Sequence, residues 1–282
     1  MPLGKQLEDR VCIVTGAASG IGEATAKLFS AEGARVIVAD IQEDRGRGVV
    51  HAITSQGGAA SFFRLDVADE YGWAEMMALA LKSHNRLDVL VNCAGIGFMK
   101  SIAEMSLSDW RKVMRTNLES VFLGLKHASP IMAKNGTRGG AIINISSSLA
   151  LKPSPGHAAY TVSKAGVSML TKIAAIELAE KNIRVNTVYP GPTRTPIWDP
   201  LTSRLPMTKA EFEKVAGKIT LLGRMADAID IAQAALYFAS DAAGYVTGAE
   251  LLVDGGEVLH REQKLFDTVQ PAADIVFKKS SQ

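Results

Sequence analysis

Short apolar, β-branched runs alternate with longer stretches of helical periodicity from Val11 to Val253. Val11–Thr15, Arg35–Ala39, Ala60–Leu65, Leu87–Val91, Gly140–Ile145, Ile183–Val188 and Leu251–Val253 read as seven strands. Helical patterns follow from Gly20 to Glu32, through His51, around Trp73 and Met77, from Ser108 to Lys134, and across Tyr160 and Lys164. Continuous apolar strands interleaved with helices suit a parallel sheet buried on both faces. The pattern predicts one α/β domain over residues 1–256, a Rossmann-like doubly wound parallel sheet with helices on both faces.

Two regions depart from this alternation. Between Thr195 and Arg224, Ile197, Trp198, Leu201, Leu205, Met207 and Phe212 stand among Pro196, Pro200 and Pro206. An irregular segment beyond a strand's C-terminal end is where a doubly wound fold places a substrate lid, expected here at 195–224. From Glu257 to Gln282 the pattern lapses into a tail, with docking on a neighbouring subunit as one use.

Composition narrows the classes. Among 282 residues, 31 basic and 29 acidic side chains leave a formal net charge of +2, which offers no long-range field to nucleic acid or an anionic membrane. Hydrophobic content of 47% with 21% charged residues suits a globular chain with a sizeable core. No window approaches ~18 consecutive apolar residues, and Met1-Pro-Leu-Gly begins no apolar signal segment, so a cytoplasmic protein is expected. Cys12 and Cys93 sit singly in apolar runs and form neither a disulfide framework nor a metal cluster.

Candidate chemistry starts with Tyr160 and Lys164, four residues apart and so on one helical face. A phenol with a pKa near ~10 is a poor base at neutral pH, and lowering it by ~3 units takes ~4 kcal/mol. A neighbouring ammonium contributes part of that. The first strand runs into Thr15-Gly16-Ala-Ala-Ser19-Gly20-Ile21-Gly22. There Gly16 allows a tight turn, Gly20 the approach of a pyrophosphate to a helix N-terminus, and Gly22 close helix–strand contact. The second strand ends in Asp40, a carboxylate suited to ribose hydroxyls and repellent to a 2′-phosphate. No basic residue occupies the glycine turn, so NAD is expected over NADP.

Taken together, these motifs resemble the short-chain dehydrogenase/reductase family in its compact single-domain branch, over nearly the whole chain. The resemblance extends to Asp66-Val67 as an adenine contact and to Asn92-Cys93-Ala94-Gly95, where cysteine replaces the family's second asparagine. It also covers Asn117, Ser147 (13 residues before Tyr160), and Pro190-Gly191-Pro-Thr193-Arg-Thr195 as the nicotinamide segment. It implies hydride transfer between NAD(H) and a secondary alcohol or ketone, with Tyr160 as acid and base and Lys164 tuning it and holding the nicotinamide ribose. Ser147 would bind the substrate oxygen, and Asn117 would hold a water on a proton route. Leu149 and Trp198, with Phe98, Met99 and Ala150, would line an apolar cleft for a small alicyclic or steroid-like substrate. The family usually forms tetramers, and a homotetramer is expected. An NADPH-dependent 3-oxoacyl-thioester reductase shares most of these motifs, and a non-catalytic dinucleotide-binding scaffold is the other alternative.

Overall fold

The computed structural model describes residues 5–260. Seven parallel strands, β1 (Val11–Thr15), β2 (Arg35–Asp40), β3 (Ala59–Arg64), β4 (Val89–Asn92), β5 (Gly140–Ile145), β6 (Ile183–Pro190) and β7 (Glu250–Val253), form a sheet in the order β3-β2-β1-β4-β5-β6-β7. The helices are α1 (Gly20–Ala31), α2 (Glu43–Thr54), α3 (Glu70–His84), α4 (Leu107–Met114), α5 (Ser120–Met132), α6 (Ala158–Leu178), α7 (Asp199–Thr202), α8 (Lys209–Gly217) and α9 (Ala228–Ala239).

The strands are apolar along their length because successive side chains serve opposite layers. Ile13, Ile37, Leu90, Ile142 and Val185 pack with Trp73 of α3, Val121 and Leu125 of α5, and Val167 of α6. Cys12, Val14, Val38, Val91, Ile143 and Val188 pack on the other face with Phe29 of α1, Val49 of α2, and Ile231 and Phe238 of α9. Fully burying one such aliphatic or aromatic side chain is worth ~1.5–3 kcal/mol, so both layers hold the sheet against its helices. Burial on both faces does not extend to the edges. Ala59, Ser61 and Arg64 of β3 and Glu250 of β7 are exposed, because an edge strand has a neighbour on one side only.

The helix expected from Ser108 to Lys134 is broken. A π-helical turn, Arg115–Glu119, separates α4 from α5 and carries Asn117, which is fully buried. Such a turn inserts an extra residue and re-aims the side chains on it, a common device at functional sites. The segment at 195–224 is not loop throughout: a 3-10 turn, Pro196–Trp198, leads into α7, and α8 follows with a capping box formed by Thr208 and Glu211. Of the expected tail at 257–282, Glu257–His260 lie in the turn after β7, and residues 261–282 lie outside the described residues.

Strand order reverses between β1 and β4, which opens a crevice above their C-terminal ends. The turn after β1, the loop after β4, the serine turn after β5 and the segment after β6 all begin on that rim.

Candidate active site

The glycine turn is packed backbone to backbone. Gly16 has φ +65°, and a Cβ there would lie 2.7 Å from Ala94 Cα, so the turn and the loop after β4 touch directly. Gly20 has φ +57°, and its missing Cβ would meet Thr195 Cγ2 at 3.0 Å. At Gly22 a Cβ would run into the carbonyl oxygen of Gly16. Thr15 Oγ1 accepts from the N–H groups of Cys93 (3.0 Å) and Ala94 (3.2 Å), which stitches β1 to the end of β4. Ser19 is the extended N-cap of α1 and makes no side-chain cap bond. The first amides of α1, at Gly20, Ile21 and Gly22, are left to face an incoming anion, favoured by the helix dipole. The cradle therefore fits the pyrophosphate of a dinucleotide.

Asp40 is buried at the end of β2, its two oxygens accepting from Ala18 N–H and Gln42 N–H, both at 2.9 Å. A carboxylate has lone pairs beyond those two, and these remain for ribose hydroxyls. Arg45 and Arg47 lie on α2 and are engaged there, Arg45 with Gln42 and Arg47 with Glu43 and the Phe62 ring. Asp66 is exposed and caps Ala68 N–H at 2.9 Å, with Val67 buried beside it. The side chain of Asn92, expected at the cofactor, is instead packed inside the sheet. Its Nδ2 donates to Asn144 Oδ1 at 2.8 Å, and Asn144 Nδ2 donates to Thr171 Oγ1 at 2.8 Å, so the side chain belongs to a buried network joining β4, β5 and α6. Only the backbone beyond it, through Ala94 and Gly95, shapes the rim.

Tyr160 and Lys164 share a face of α6, with the ammonium 5.8 Å from the ring centroid. Lys164 is 4% exposed and donates to Ile145 O at 2.8 Å. Burial pulls its pKa from 10.5 down to about 8. The phenol, expected to be lowered by this neighbour, is instead pushed above its ordinary value: burial outweighs the Ser147 hydrogen bond that pulls it down. Tyr160 and Lys164 are both desolvated, which favours the neutral form of each.

The three serines after β5 have separate partners. Ser146 Oγ donates to Lys164 O at 2.8 Å, and Ser148 Oγ donates to Glu257. Ser147 faces the phenol, and its oxygen accepts from Leu149 N–H at 3.2 Å. Asn117 clamps the loop after β4 to α6: its Oδ1 accepts from Ile96 N–H at 2.8 Å, and its Nδ2 donates to Ile96 O at 3.0 Å and Ser163 Oγ at 3.2 Å. A Cβ on Gly95 would sit 3.3 Å from Asn117 Oδ1 and 3.4 Å from Lys164 Nζ, so these two polar groups flank that glycine.

At the end of β6, Pro190 is buried, and just past it Gly191 lies against Asp254. Thr195 reaches the glycine turn, but the Thr193 hydroxyl is spent on Gly191 O at 2.9 Å, because the chain doubles back to bridge Ala226. Trp198, expected against substrate, is turned into the lid. Its indole N–H donates to Thr193 O at 2.9 Å, and its ring meets Phe212 of α8 at 5.4 Å. Ile197 is the lid residue that comes over the rim, beside Gly97. Leu149 stays half-buried next to Ser147, and Met99 packs by Gly156, where Lys100 N–H donates to Gly156 O at 2.8 Å and joins the two rim loops. The motifs give no sign of Ser163 or Glu257, and they include Thr15 without its tie to the end of β4. Ser163 was marked only by being a serine on the buried side of α6, between Tyr160 and Lys164.

A family model described as enoyl-(acyl carrier protein) reductase matches residues 16–257. A 2,5-dichloro-2,5-cyclohexadiene-1,4-diol dehydrogenase of Sphingobium indicum is 40% identical, covering 90% of this chain and 98% of its own. A cyclopentanol dehydrogenase of Comamonas sp. is 40% identical (89% and 98% covered), and a 3-oxoacyl-[acyl-carrier-protein] reductase of Thermotoga maritima 41% (90% and 100%). A crystal structure described as a putative short-chain dehydrogenase/reductase from Burkholderia xenovorans superposes with a TM-score of 0.87 at 31% identity, covering 92% of this chain and 100% of that one. With its phenol, ammonium and serine gathered at the crevice of a doubly wound sheet, the chain belongs to the short-chain dehydrogenase/reductase family and is an oxidoreductase.

Proposed function

We propose that this oxidoreductase interconverts an apolar, alicyclic secondary alcohol and its ketone, with NAD as cofactor. The chief support is the convergence of Ser147, Tyr160 and Lys164 beneath a lid that brings an aliphatic residue, Ile197, over the rim. The ring-alcohol names of two relatives point the same way. The dinucleotide would lie along Gly16, Ser19, Gly20, Ile21 and Gly22, its adenosine by Asp40, Asp66 and Val67 and its nicotinamide end by Tyr160, Lys164, Pro190, Gly191 and Thr195. Bound there, it supplies a hydride acceptor or donor at C4 and, when oxidised, a positive ring that favours the phenolate.

The protein's own groups then handle the proton. Tyr160 takes it from the alcohol in oxidation and returns it to the ketone oxygen in reduction. Lys164 stabilises the phenolate and holds the ribose, and Ser147 donates to the substrate oxygen as charge develops on it. Asn117 fixes the loop that frames Lys164. The Asp40 side chain, buried beside the turn, supports NAD over NADP.

The test follows NADH formation over cyclic, aromatic and steroid secondary alcohols, in the parent and in Tyr160→Phe. The variant should lose about a thousandfold in turnover and keep its dinucleotide affinity. Turnover within a few-fold of the parent removes Tyr160 from this role.

A second reading, NADPH-driven reduction of a 3-oxoacyl thioester, is favoured by the Thermotoga maritima relative. Ser19 where a basic residue would meet a 2′-phosphate, and Asp40 itself, weigh against it. Faster NADPH oxidation on a 3-oxoacyl thioester than NAD reduction on any ring alcohol would establish it instead. The proposal includes assembly as a tetramer, supported by exposed Phe122 on α5 and by Val162, Met169, Ile173 and Ile176 along one face of α6. It also places the enzyme in the cytoplasm, in keeping with two free cysteines. No helix among the described residues is long and apolar enough to cross a membrane.

A further inference from the structure

The turn after β7 joins three parts of the cleft. Asp254 lies against the nicotinamide segment, where a Cβ on Gly191 would come within 2.6 Å of Asp254 Cα. Gly255 lies under the returning limb of the lid: its carbonyl accepts from Leu222 N–H at 3.1 Å, and a Cβ on it would meet Thr220 at 3.2 Å. Glu257 reaches the serine turn. Ser148 Oγ donates to Glu257 Oε2 at 2.6 Å, and Lys152 Nζ donates to the carbonyls of Glu257 (3.0 Å) and His260 (2.6 Å).

Several features set this contact apart from ordinary loop packing. Glu257 is 9% exposed and Ser148 3% exposed, and a carboxylate is costly to bury on a neutral hydroxyl. Burial holds the Glu257 carboxyl above its usual range, with Ser148 pulling it down. The turn that carries it is stiff, because the Asp254 carboxylate accepts from Gly256 N–H and Val258 N–H, both at 2.8 Å. At the other end, Ser148 immediately follows Ser147, which is extended (φ −167°, ψ 150°) with its hydroxyl toward Tyr160. A carboxylate accepts only, so the Ser148 hydroxyl donates to it and ties the serine turn to the turn after β7.

We infer that Glu257 is a positioning residue for Ser147: its carboxylate holds the Ser148 hydroxyl, and with it the turn that aims the Ser147 hydroxyl at the substrate oxygen. The inference rests on the proposed role of Ser147. Glu257 acts through this turn and touches neither substrate nor cofactor. The same turn bears on the lid through Gly255, so the serine and the lid share one support.

The experiment measures kcat, KM and dinucleotide affinity for Glu257→Ala, Glu257→Gln, Ser148→Ala and Ser147→Ala, and for Glu257→Ala combined with each serine variant. Glu257→Ala should lower kcat about 20-fold with dinucleotide affinity held within about two-fold, since a small misplacement of one catalytic group is costly. Glu257→Gln keeps an accepting oxygen and should return to within about three-fold of the parent. On the Ser147→Ala background, Glu257→Ala should cost less than about two-fold more, because its effect passes through a group already removed. Ser148→Ala should reproduce the Glu257→Ala loss and not add to it, and it carries the test should Glu257→Ala fail to fold.

A Ser147→Ala enzyme that turns over like the parent ends the reading of Ser147. A severe Ser147→Ala loss beside a harmless Glu257→Ala overturns the positioning role alone. So does a Glu257→Ala loss of equal size on both backgrounds, or a Glu257→Gln variant as impaired as the alanine.

Discussion

Around the glycine turn, backbone meets backbone. Gly16 lies against Ala94 and Gly22 against the Gly16 carbonyl, while Thr15 ties both ends of the contact. Past β6, side chain meets side chain: Trp198 rests on Phe212, and Arg194 holds Glu213 at 3.0 Å and Asp227 at 2.7 Å. The first wall has no room for an added methyl group, whereas the second is built from long side chains that can yield. A cofactor shared across a family suits the rigid wall, and a variable substrate suits the adjustable one. Damage to the first wall should therefore strike dinucleotide binding and stability together, and damage to the second should strike the alcohol alone.

The largest expected effect is at Gly22. Its Cβ would collide with the Gly16 carbonyl oxygen and approach Ala17 Cα at 3.0 Å, and both neighbours are backbone. Gly22→Ala should cost about 3 kcal/mol or more in urea unfolding, at the upper end for overpacking, and abolish measurable dinucleotide binding. A variant that unfolds like the parent and binds the dinucleotide normally would show that this wall has slack.

The same contrast explains what could be read in advance. All seven strands begin and end within two residues of the positions their apolar runs mark, the widest departures being the start of β4 at Val89 rather than Leu87 and the end of β6 at Pro190 rather than Val188; in the central strands, burial on two faces keeps the runs mostly apolar. The glycine turn was legible because each glycine replaces a specific clash. Side-chain direction was not legible. Asn92 and Thr193 stand where the family motif puts them, yet the Asn92 amide nitrogen is spent on buried Asn144 and the Thr193 hydroxyl on the Gly191 carbonyl. Trp198 sits in the expected lid but faces inward, since helical pairing with Phe212 depends on α8, which the prolines around it disguised. Asn117 breaks a helix whose periodicity runs unchanged through the break. Glu257 looked like the start of a tail because its partner, Ser148, is 109 residues away in sequence.

Between the two walls stands Lys164, and its titration tests how closed the site is. The folded pKa of about 8 lies below the ordinary 10.5. Between those values the unfolded chain binds more protons than the folded one, so this group makes folding more favourable as pH rises through the window. Below pH 8 its burial is a penalty, at most about 3 kcal/mol, that alkaline pH relieves. Urea unfolding of the parent and Lys164→Met at steps from pH 7 to pH 10 should show the parent gaining on the variant. A difference independent of pH would mean that solvent reaches the ammonium. Alcohol oxidation should also accelerate toward alkaline pH as the raised Tyr160 phenol loses its proton.

The smallest effect, and the sharpest for the comparison, is at Arg194. It lies between Thr193 and Thr195, within the segment assigned to the nicotinamide end, yet its guanidinium points to α8 and to the start of α9. Both ion pairs are partly exposed, so losing them in Arg194→Met should cost about 1 kcal/mol or less of stability. What they hold is the angle of the lid. The alcohol KM should rise about five-fold with kcat little changed, the signature of lost uniform binding, and dinucleotide affinity should stay put. Raising the salt concentration on the parent should move KM the same way by screening the pairs. If dinucleotide affinity instead falls as far as KM rises, Arg194 serves both walls, and the lid cannot be tuned for substrate without disturbing the cofactor.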